Sequence, residues 1–484
     1  MINRSVIKSL REIVGRDSVY DSPEQRLAHS YDSTTGLSCL PDAVVRPATP
    51  EQISEIVCLA NAERFAVVPR GSGTGLSGGS VPVENSIVLL TSHWNRIIEI
   101  DEENLTALVE PGVITAQLHQ AAESVGLMYP PDPGSSSIST IGGNVAENAG
   151  GLRGLKYGVT KNYVLGLEVV LPTGEILRTG GKVVKDVAGY NLKDVLVGSE
   201  GTLGIFTKIL VRLVPQPETS RTVVAFFPTI DAAAKTVSAV IAAKITPAML
   251  EFLDNTTIRC VEDYAHLGLP TEAEAMLLVE VDGRALVVKE DAATIVELCR
   301  LNNAATVKVA ETEGESTKFK VARRAAFASL ARVKPTTIME DVAVPRADVA
   351  RLIARIREIG REHDVLIGNF GHAGDGNMHP NYLTDERNKE EYARAQRAVE
   401  EVELSAIEFG GTITGEHGIG LYKKRFLEKQ VGSPSLSMMK TLKQMMDPNN
   451  ILNPGKIFDF RPKCEGPLPS SREQIKRFED VAWM

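Results

Sequence analysis

Apolar and polar positions along this chain change rhythm three times. Thr49-Pro50-Glu51-Gln52 supplies a cap residue, a proline at the first helical position and a glutamine at the third, and so predicts a helix over "EQISEIVCLANAE". A short apolar strand, "FAVVP", comes next and runs into "RGSGTGLSGGS". From 81 to 217, short apolar or alternating runs separated by glycines predict strands: "SIVLL", "IIEID", "TALVEPG", "LGLEVVLPTGEIL" and "GIFTKILVRLVP". Pro215 and Pro217 mark a boundary. Residues 220–310 then read as strand "VVAFF", helix "DAAAKTVSAVIAA", strands "AMLEFLD" and "AMLLVEVDG", helix "VKEDAATIVELCRL" and strand "ATVKVAE". That β-α-β-β-α-β order is the ferredoxin-like pattern. A mostly helical region follows, and residues 462–484 read as an extended, Pro-Ser-bearing tail.

Within the helical region lies "GNFGHAGDGNMHP", residues 368–380, which holds two of the chain's eight histidines. Its glycines each disfavour a helix by roughly 1 kcal/mol. Asp375-Gly376 is a favoured pair for a two-residue hairpin turn, and such a turn would set His372 opposite His379. Opposed side chains stand about 5 Å apart at Cβ, close enough for two imidazoles to share a metal. The plain alternative is a solvated polar hairpin.

Composition narrows the class. A length of 484 residues exceeds one hydrophobic core, and the apolar and charged fractions are those of a soluble globular enzyme. A net charge of −9 argues against nucleic acid as the main partner. No run of about 20 apolar residues is present to cross a bilayer, and the start lacks a secretory pattern. The five cysteines are scattered and never form CxxC, which fits a reducing cytoplasm and excludes an internal iron–sulfur cluster of the usual spacing.

"GTGLSG", residues 73–78, matches GxGxxG after a strand, but Pro82 and the following β-branched run leave no room for the helix that a dinucleotide fold needs. The loop instead suits bare backbone N–H groups wrapped around a diphosphate. This loop, with "PPDPGSSSISTIGGNVAENAGGLRGLKYG", "KVVKDVAGYNLKDVLVGSEGTLGIFT", "GHAGDGNMH", "GTITGEHGIG" and "LNPGKIF", resembles the FAD-linked D-2-hydroxy acid dehydrogenases over roughly residues 40 to 460. Within that family the likeness is to glycolate oxidase catalytic subunits and FAD-dependent D-lactate dehydrogenases.

The resemblance implies an α+β fold. A two-subdomain FAD-binding domain of the vanillyl-alcohol-oxidase type would span 1–217, and a ferredoxin-like substrate (cap) domain 218–410. A C-terminal helical, metal-site segment over 411–461 would return to the FAD domain ahead of the 462–484 tail. It also implies FAD contacts at Pro69, Arg70, Gly71, Ser72, Gly73, Thr74, Gly75 and Ser77. Further implied contacts are Pro131, Ser139, Gly142, Asn144, Asn148, Ala149 and Gly150, then Gly201, Gly204, Ile205 and Asn453. Relatives that tether FAD covalently often do so through a nearby histidine or cysteine. This chain has neither between 59 and 92 nor between 120 and 259, so dissociable FAD is expected.

Glu416 and His417 are flanked by glycines, and at a turn they can be aimed separately. Two imidazoles and one carboxylate form a divalent-metal triad with open positions. The resemblance places one ion (zinc, manganese or iron) on His372, His379 and Glu416. His417 is the candidate general base; of Arg323 and Arg324, which are not expected to point inward together from one helix, the resemblance picks Arg323 as the carboxylate clamp and leaves Arg324 solvated. Phe327 and Met339 stand where relatives handling 2-hydroxyglutarate carry polar or basic residues, which favours lactate or glycolate. The expected activity is oxidation of a small D-2-hydroxy acid to the 2-keto acid, in the cytoplasm or peripheral to a membrane through a partner. Electrons would pass to an external carrier such as an electron-transferring flavoprotein or an iron–sulfur subunit, with the tail as a docking strand. Competing readings are a D-2-hydroxyglutarate dehydrogenase, a metallohydrolase built on the His/His/Glu site, and a non-catalytic subunit.

Overall fold

The computed structural model describes residues 2–459, so the 462–484 tail lies outside the described residues. The helix starting at Thr49 runs Pro50–Glu63, and the Thr49 side chain accepts from the Gln52 N–H. It buries Ile53, Ile56, Val57 and Ala60, one stripe at helical spacing, in a core shared with the helix Arg4–Val14. Under these helices lies a four-stranded sheet in the order Val19–Tyr20, Ala43–Val45, Ser86–Leu90, Ala66–Arg70. The last three strands are parallel. Parallel neighbours need a long crossover, usually a helix. Between Ala66–Arg70 and Ser86–Leu90 that crossover is the glycine loop itself, with no helix in it. The loop therefore sits outside the C-terminal ends of parallel strands, the usual place for a ligand in such sheets.

A second, five-stranded antiparallel sheet has the order Ile97–Asp101, Thr106–Val109, Ile205–Arg212, Val164–Val170, Ile176–Gly180. Val109, Leu118, Val145, Val169 and Ile209 lie in the core on one of its faces.

The third sheet is antiparallel and has eight strands. It begins Thr306–Val309, Thr219–Phe227, Ala275–Gly283, Met249–Asp254, so the four strands of the β-α-β-β-α-β stretch lie in the spatial order fourth, first, third, second. Two features were not anticipated. The helix Asn255–Ala265 separates the two central strands, started by Asp254, whose side chain accepts from the Thr257 N–H. The sheet also runs on through Leu366–His372, Asn377–Thr384 and Thr336–Met339, with Val342–Ala343 paired to Asn377–Thr384.

The hairpin differs in register from the expectation. His379 pairs with Phe370 and His372 with Asn377, which leaves a four-residue turn, 373–376. The Asp375 and Gly376 N–H groups both donate to the His372 carbonyl, and Gly376 has φ +90°. A Cβ there would strike the Val344 carbonyl, which only glycine avoids. The offset is one whole pair, so the side chains keep their faces and the histidines become diagonal neighbours.

Near its end the chain returns to the first sheet. Val67 N–H donates to Ile451 O at 2.8 Å, and Asn453 N–H donates to Val67 O at 2.9 Å. Among the described residues no helix is long and apolar enough to cross a membrane, and the four cysteines there are unpaired.

Candidate active site

The glycine loop and the hairpin face one cavity of about 460 Å³. At one end, glycine lets backbone come close. A Cβ on Gly71 would collide with Thr140 Oγ1, and one on Gly73, at φ +73°, with the Arg70 guanidinium. The N–H groups of Gly71, Ser72, Gly73, Thr74 and Gly75 donate to no acceptor among the described residues. A row of free N–H groups on a glycine backbone is a cradle for an anion, and the residues fit a diphosphate.

Of the expected FAD contacts, Pro69, Arg70, Gly71, Ser72, Gly73, Thr74 and Gly75 line the cavity, as do Gly142, Asn144, Ala149, Gly150, Gly201, Gly204 and Ile205. Ser77, Pro131, Ser139, Asn148 and Asn453 stand behind this lining. The Ser77 carbonyl accepts from Leu421 and Tyr422, and the Pro131 carbonyl bonds His119 Nε2. Ser139 Oγ meets Thr115 Oγ1, and the Asn148 side chain accepts from the Lys161 N–H. The Asn453 amide donates to the Gly79 and Glu200 carbonyls.

At the other end, His372, His379 and Glu416 bring one ligand atom each to within 4.8 Å of one another. Glu416 Oε1 lies 3.4 Å from His372 Nε2 and 3.3 Å from His379 Nε2. Each imidazole has a buried carboxylate at its far nitrogen. His372 Nδ1 is 2.6 Å from Glu251 Oε1, and His379 Nδ1 is 3.8 Å from Asp341 Oδ1. The Glu251 carboxylate is the usual support of a metal-ligating histidine, because its hydrogen bond fixes the His372 tautomer and aims Nε2; the longer gap from Asp341 to His379 Nδ1 is not a hydrogen bond. Burial disfavours the Glu416 anion, but His372 and His379 outweigh it and hold the group well below the ordinary carboxylate range. The donor set fits a divalent cation.

Asp341 also builds the turn that presents Glu416 and His417. Its Oδ2 accepts from the N–H groups of Gly415, Glu416 and His417, each at 2.9 Å, and from Thr414 Oγ1 at 2.7 Å. With those donors taken and Asn377 Nδ2 on Oδ1 at 2.6 Å, Asp341 is satisfied as a scaffold. It also falls in a second cluster with His379 and His417. His417 stacks on His379 with centroids 5.1 Å apart and borders the cavity. Burial lowers its pKa below the ordinary histidine value, which favours a neutral ring at pH 7.

Arg323 lies on the helix Glu313–Leu330, buried, with Nε donating to Glu251 Oε2 at 2.5 Å and its guanidinium over the Phe370 ring. Its terminal nitrogens hold no hydrogen bond among the described residues and the side chain borders the cavity. Arg324, expected to be solvated while Arg323 points inward, is exposed. It also borders the cavity, and no ion-pair partner for it is present among the described residues.

Sequence reasoning missed four acids. Glu251 sits in the middle of the strand "MLEFLD", between apolar residues, where a fully buried charge is itself the signal. Asp341 follows the strand Thr336–Met339. Glu147 and Glu200 face each other beneath the segment 418–420. Burial, then Glu200 and Asp32, raise the Glu147 carboxyl well above 4.5, and burial pushes Glu200 up to about 7. A carboxyl whose folded pKa exceeds its unfolded value stabilises most at low pH, and that contribution is lost as pH rises from about 4.5 through 7. Glu147→Gln should therefore raise Tm by several degrees at pH 8 and change it little at pH 5, read by calorimetry at both pH values. An equal shift at both would remove the titrating pair from the account.

Residues 216–457 match the family described as FAD linked oxidases, C-terminal domain, and residues 41–180 match the FAD binding domain family. The glycolate oxidase subunit GlcD of Bacillus subtilis (strain 168) is 53% identical over 458 residues, covering 95% of this chain and 97% of that protein. A D-lactate dehydrogenase of Anaerostipes hadrus is 34% identical over 94% of this chain and 98% of its own. The solved 4-ethylphenol oxidase from Gulosibacter chungangensis, an isoeugenol complex, superposes with a TM-score of 0.78 at 20% identity, covering 96% of this chain and 98% of that one. At that identity the likeness shows the fold, an FAD-binding one of mixed helix and sheet.

Proposed function

Because the chain belongs to the FAD-linked oxidases and is an FAD-dependent oxidoreductase, we propose that it oxidises a small D-2-hydroxy acid, D-lactate or glycolate, to the 2-keto acid. The observation that carries this reading is one cavity with an anion cradle at one end and, at the other, two histidines facing Glu416, one of them held by Glu251. The reading takes 1–217 as the FAD domain, 218–410 as a ferredoxin-like cap and 411–461 as the returning segment.

When bound, FAD supplies the acceptor for the hydride leaving C2, and a divalent cation on His372, His379 and Glu416 supplies Lewis acidity toward the hydroxyl oxygen. The protein does the rest. Arg323 offers its free terminal nitrogens to the substrate carboxylate, and Phe370 fixes the plane of that guanidinium. His417 takes the hydroxyl proton at Nε2, the nitrogen on the Glu416 side. The acid loses hydride and proton together, which leaves the keto acid. The cysteines are too scattered to hold an iron–sulfur cluster, so the electrons pass to a separate carrier.

A second reading, a 2-hydroxy dicarboxylate such as 2-hydroxyglutarate, draws on Arg324. Its unpaired guanidinium beside the cavity could meet the second carboxylate that Phe327 and Met339 would leave bare. The test is an anaerobic panel of D-lactate, L-lactate, glycolate and D-2-hydroxyglutarate, followed by flavin absorbance. Bleaching by D-lactate or glycolate is expected. Bleaching by 2-hydroxyglutarate alone favours the second reading, and colourless protein that no acid affects removes both.

A further inference from the structure

We propose that Glu251 is a positioning residue that ties the substrate-binding guanidinium to the metal-binding imidazole. One carboxylate oxygen holds Arg323 and the other holds His372. The inference rests on the proposed function and deepens it, since it gives a role to a residue that touches neither substrate nor metal.

The geometry is specific. Glu251 is fully buried on the strand Met249–Asp254. That strand pairs with Leu366–His372 through Phe252↔Gly371 and Leu253↔Phe370, and the same register carries on to set Glu251 level with His372. Along the strand, Leu250 and Phe252 enter one hydrophobic core and Met249 and Leu253 enter the other, the one that also holds Phe370. Alternation puts Glu251 on this second face, beneath the helix that carries Arg323. Oε1 is 2.6 Å from His372 Nδ1 and Oε2 is 2.5 Å from Arg323 Nε.

Both contacts leave the working atoms free. With its proton on Nδ1, His372 turns Nε2 toward Glu416, 3.4 Å away. With Nε engaged, Arg323 keeps its terminal nitrogens for the cavity. A carboxylate is the only side chain that can accept from both donors with separate oxygens. Glutamine has one acceptor and must turn its NH₂ on either the arginine or the imidazole N–H. The bridge also matches the buried guanidinium with a buried anion, so an incoming carboxylate meets an oriented clamp whose charge is already balanced.

The test uses the full chain with FAD bound. Zinc affinity is measured by calorimetric titration of chelator-stripped protein, and KM by anaerobic reduction with D-lactate. Glu251→Gln should weaken zinc about 10–100-fold, the range for loss of an outer partner, and raise KM, with FAD content unchanged. On an Arg323→Met background the same change should still weaken zinc but add nothing to KM, since its effect on KM passes through the arginine. Glu251→Asp, too short to span both partners, serves if the glutamine variant does not fold; it should lose one effect and keep the other. A folded variant with wild-type zinc affinity and KM, altered only in Tm, would make Glu251 a structural ion pair and overturn the proposal. Wild-type protein that binds no zinc and is reduced by no 2-hydroxy acid would instead overturn the function on which it rests.

Discussion

Alanine in place of His379 is expected to empty the metal site and lower turnover more than about 10²-fold, beyond what loss of an outer-shell partner alone costs. His379 is central to the cluster. Its Nε2 faces Glu416 at 3.3 Å, its ring meets His372 edge-on with centroids 5.2 Å apart, and it carries the stacked ring of His417. Removing it deletes one of the three proposed ligands and leaves Glu416 facing His372 and, farther off, His417. The glycine cradle lies at the other end of the cavity, so flavin content should stay at wild-type level. Elemental analysis beside the flavin spectrum checks both halves. Full metal occupancy in both His379→Ala and His372→Ala would sink the site assignment.

His417→Ala should behave differently. The metal and the flavin stay, and flavin reduction slows by about 10²–10⁴-fold, the usual worth of a positioned general base. The residue is held from its backbone, through the N–H bonded to Asp341, so truncating the ring leaves the turn that aims Glu416 in place. Stopped-flow reduction by D-lactate reads the chemical step without the acceptor. A near-normal rate with full metal would assign the proton to another group.

The supports of this site were harder to read from sequence than its reacting groups. The glycine loop was legible because Pro82 and the β-branched run after it forbid a helix, and the hairpin because its glycines do. The hairpin register was not legible. It depends on Gly376 passing close to the Val344 carbonyl, a contact between segments far apart along the chain. The misreading kept the histidines together only because an offset of one whole pair preserves the faces of a sheet. Glu251 and Asp341 left a weaker trace. Each is one acid in an ordinary segment, and its meaning comes from partners 121 and 76 positions away. The local pattern of one chain does not encode such separations.

The return of the chain to its first sheet bears on how the protein comes into being. Val67, one strand-length before the glycine cradle, has backbone partners at Ile451 and Asn453, and the Asn453 amide ties Gly79 to Glu200. At about 5–20 residues per second, synthesis delivers residue 451 roughly 10–50 s after residue 217. During that interval the partners of Val67 do not yet exist, so the edge beside the cradle is open. Closure comes only after the eight-stranded sheet and His372, His379 and Glu416 have been made. The chain is thus sewn shut by its last described stretch, and the cofactor's seat is finished at nearly the same moment as the chemistry it serves.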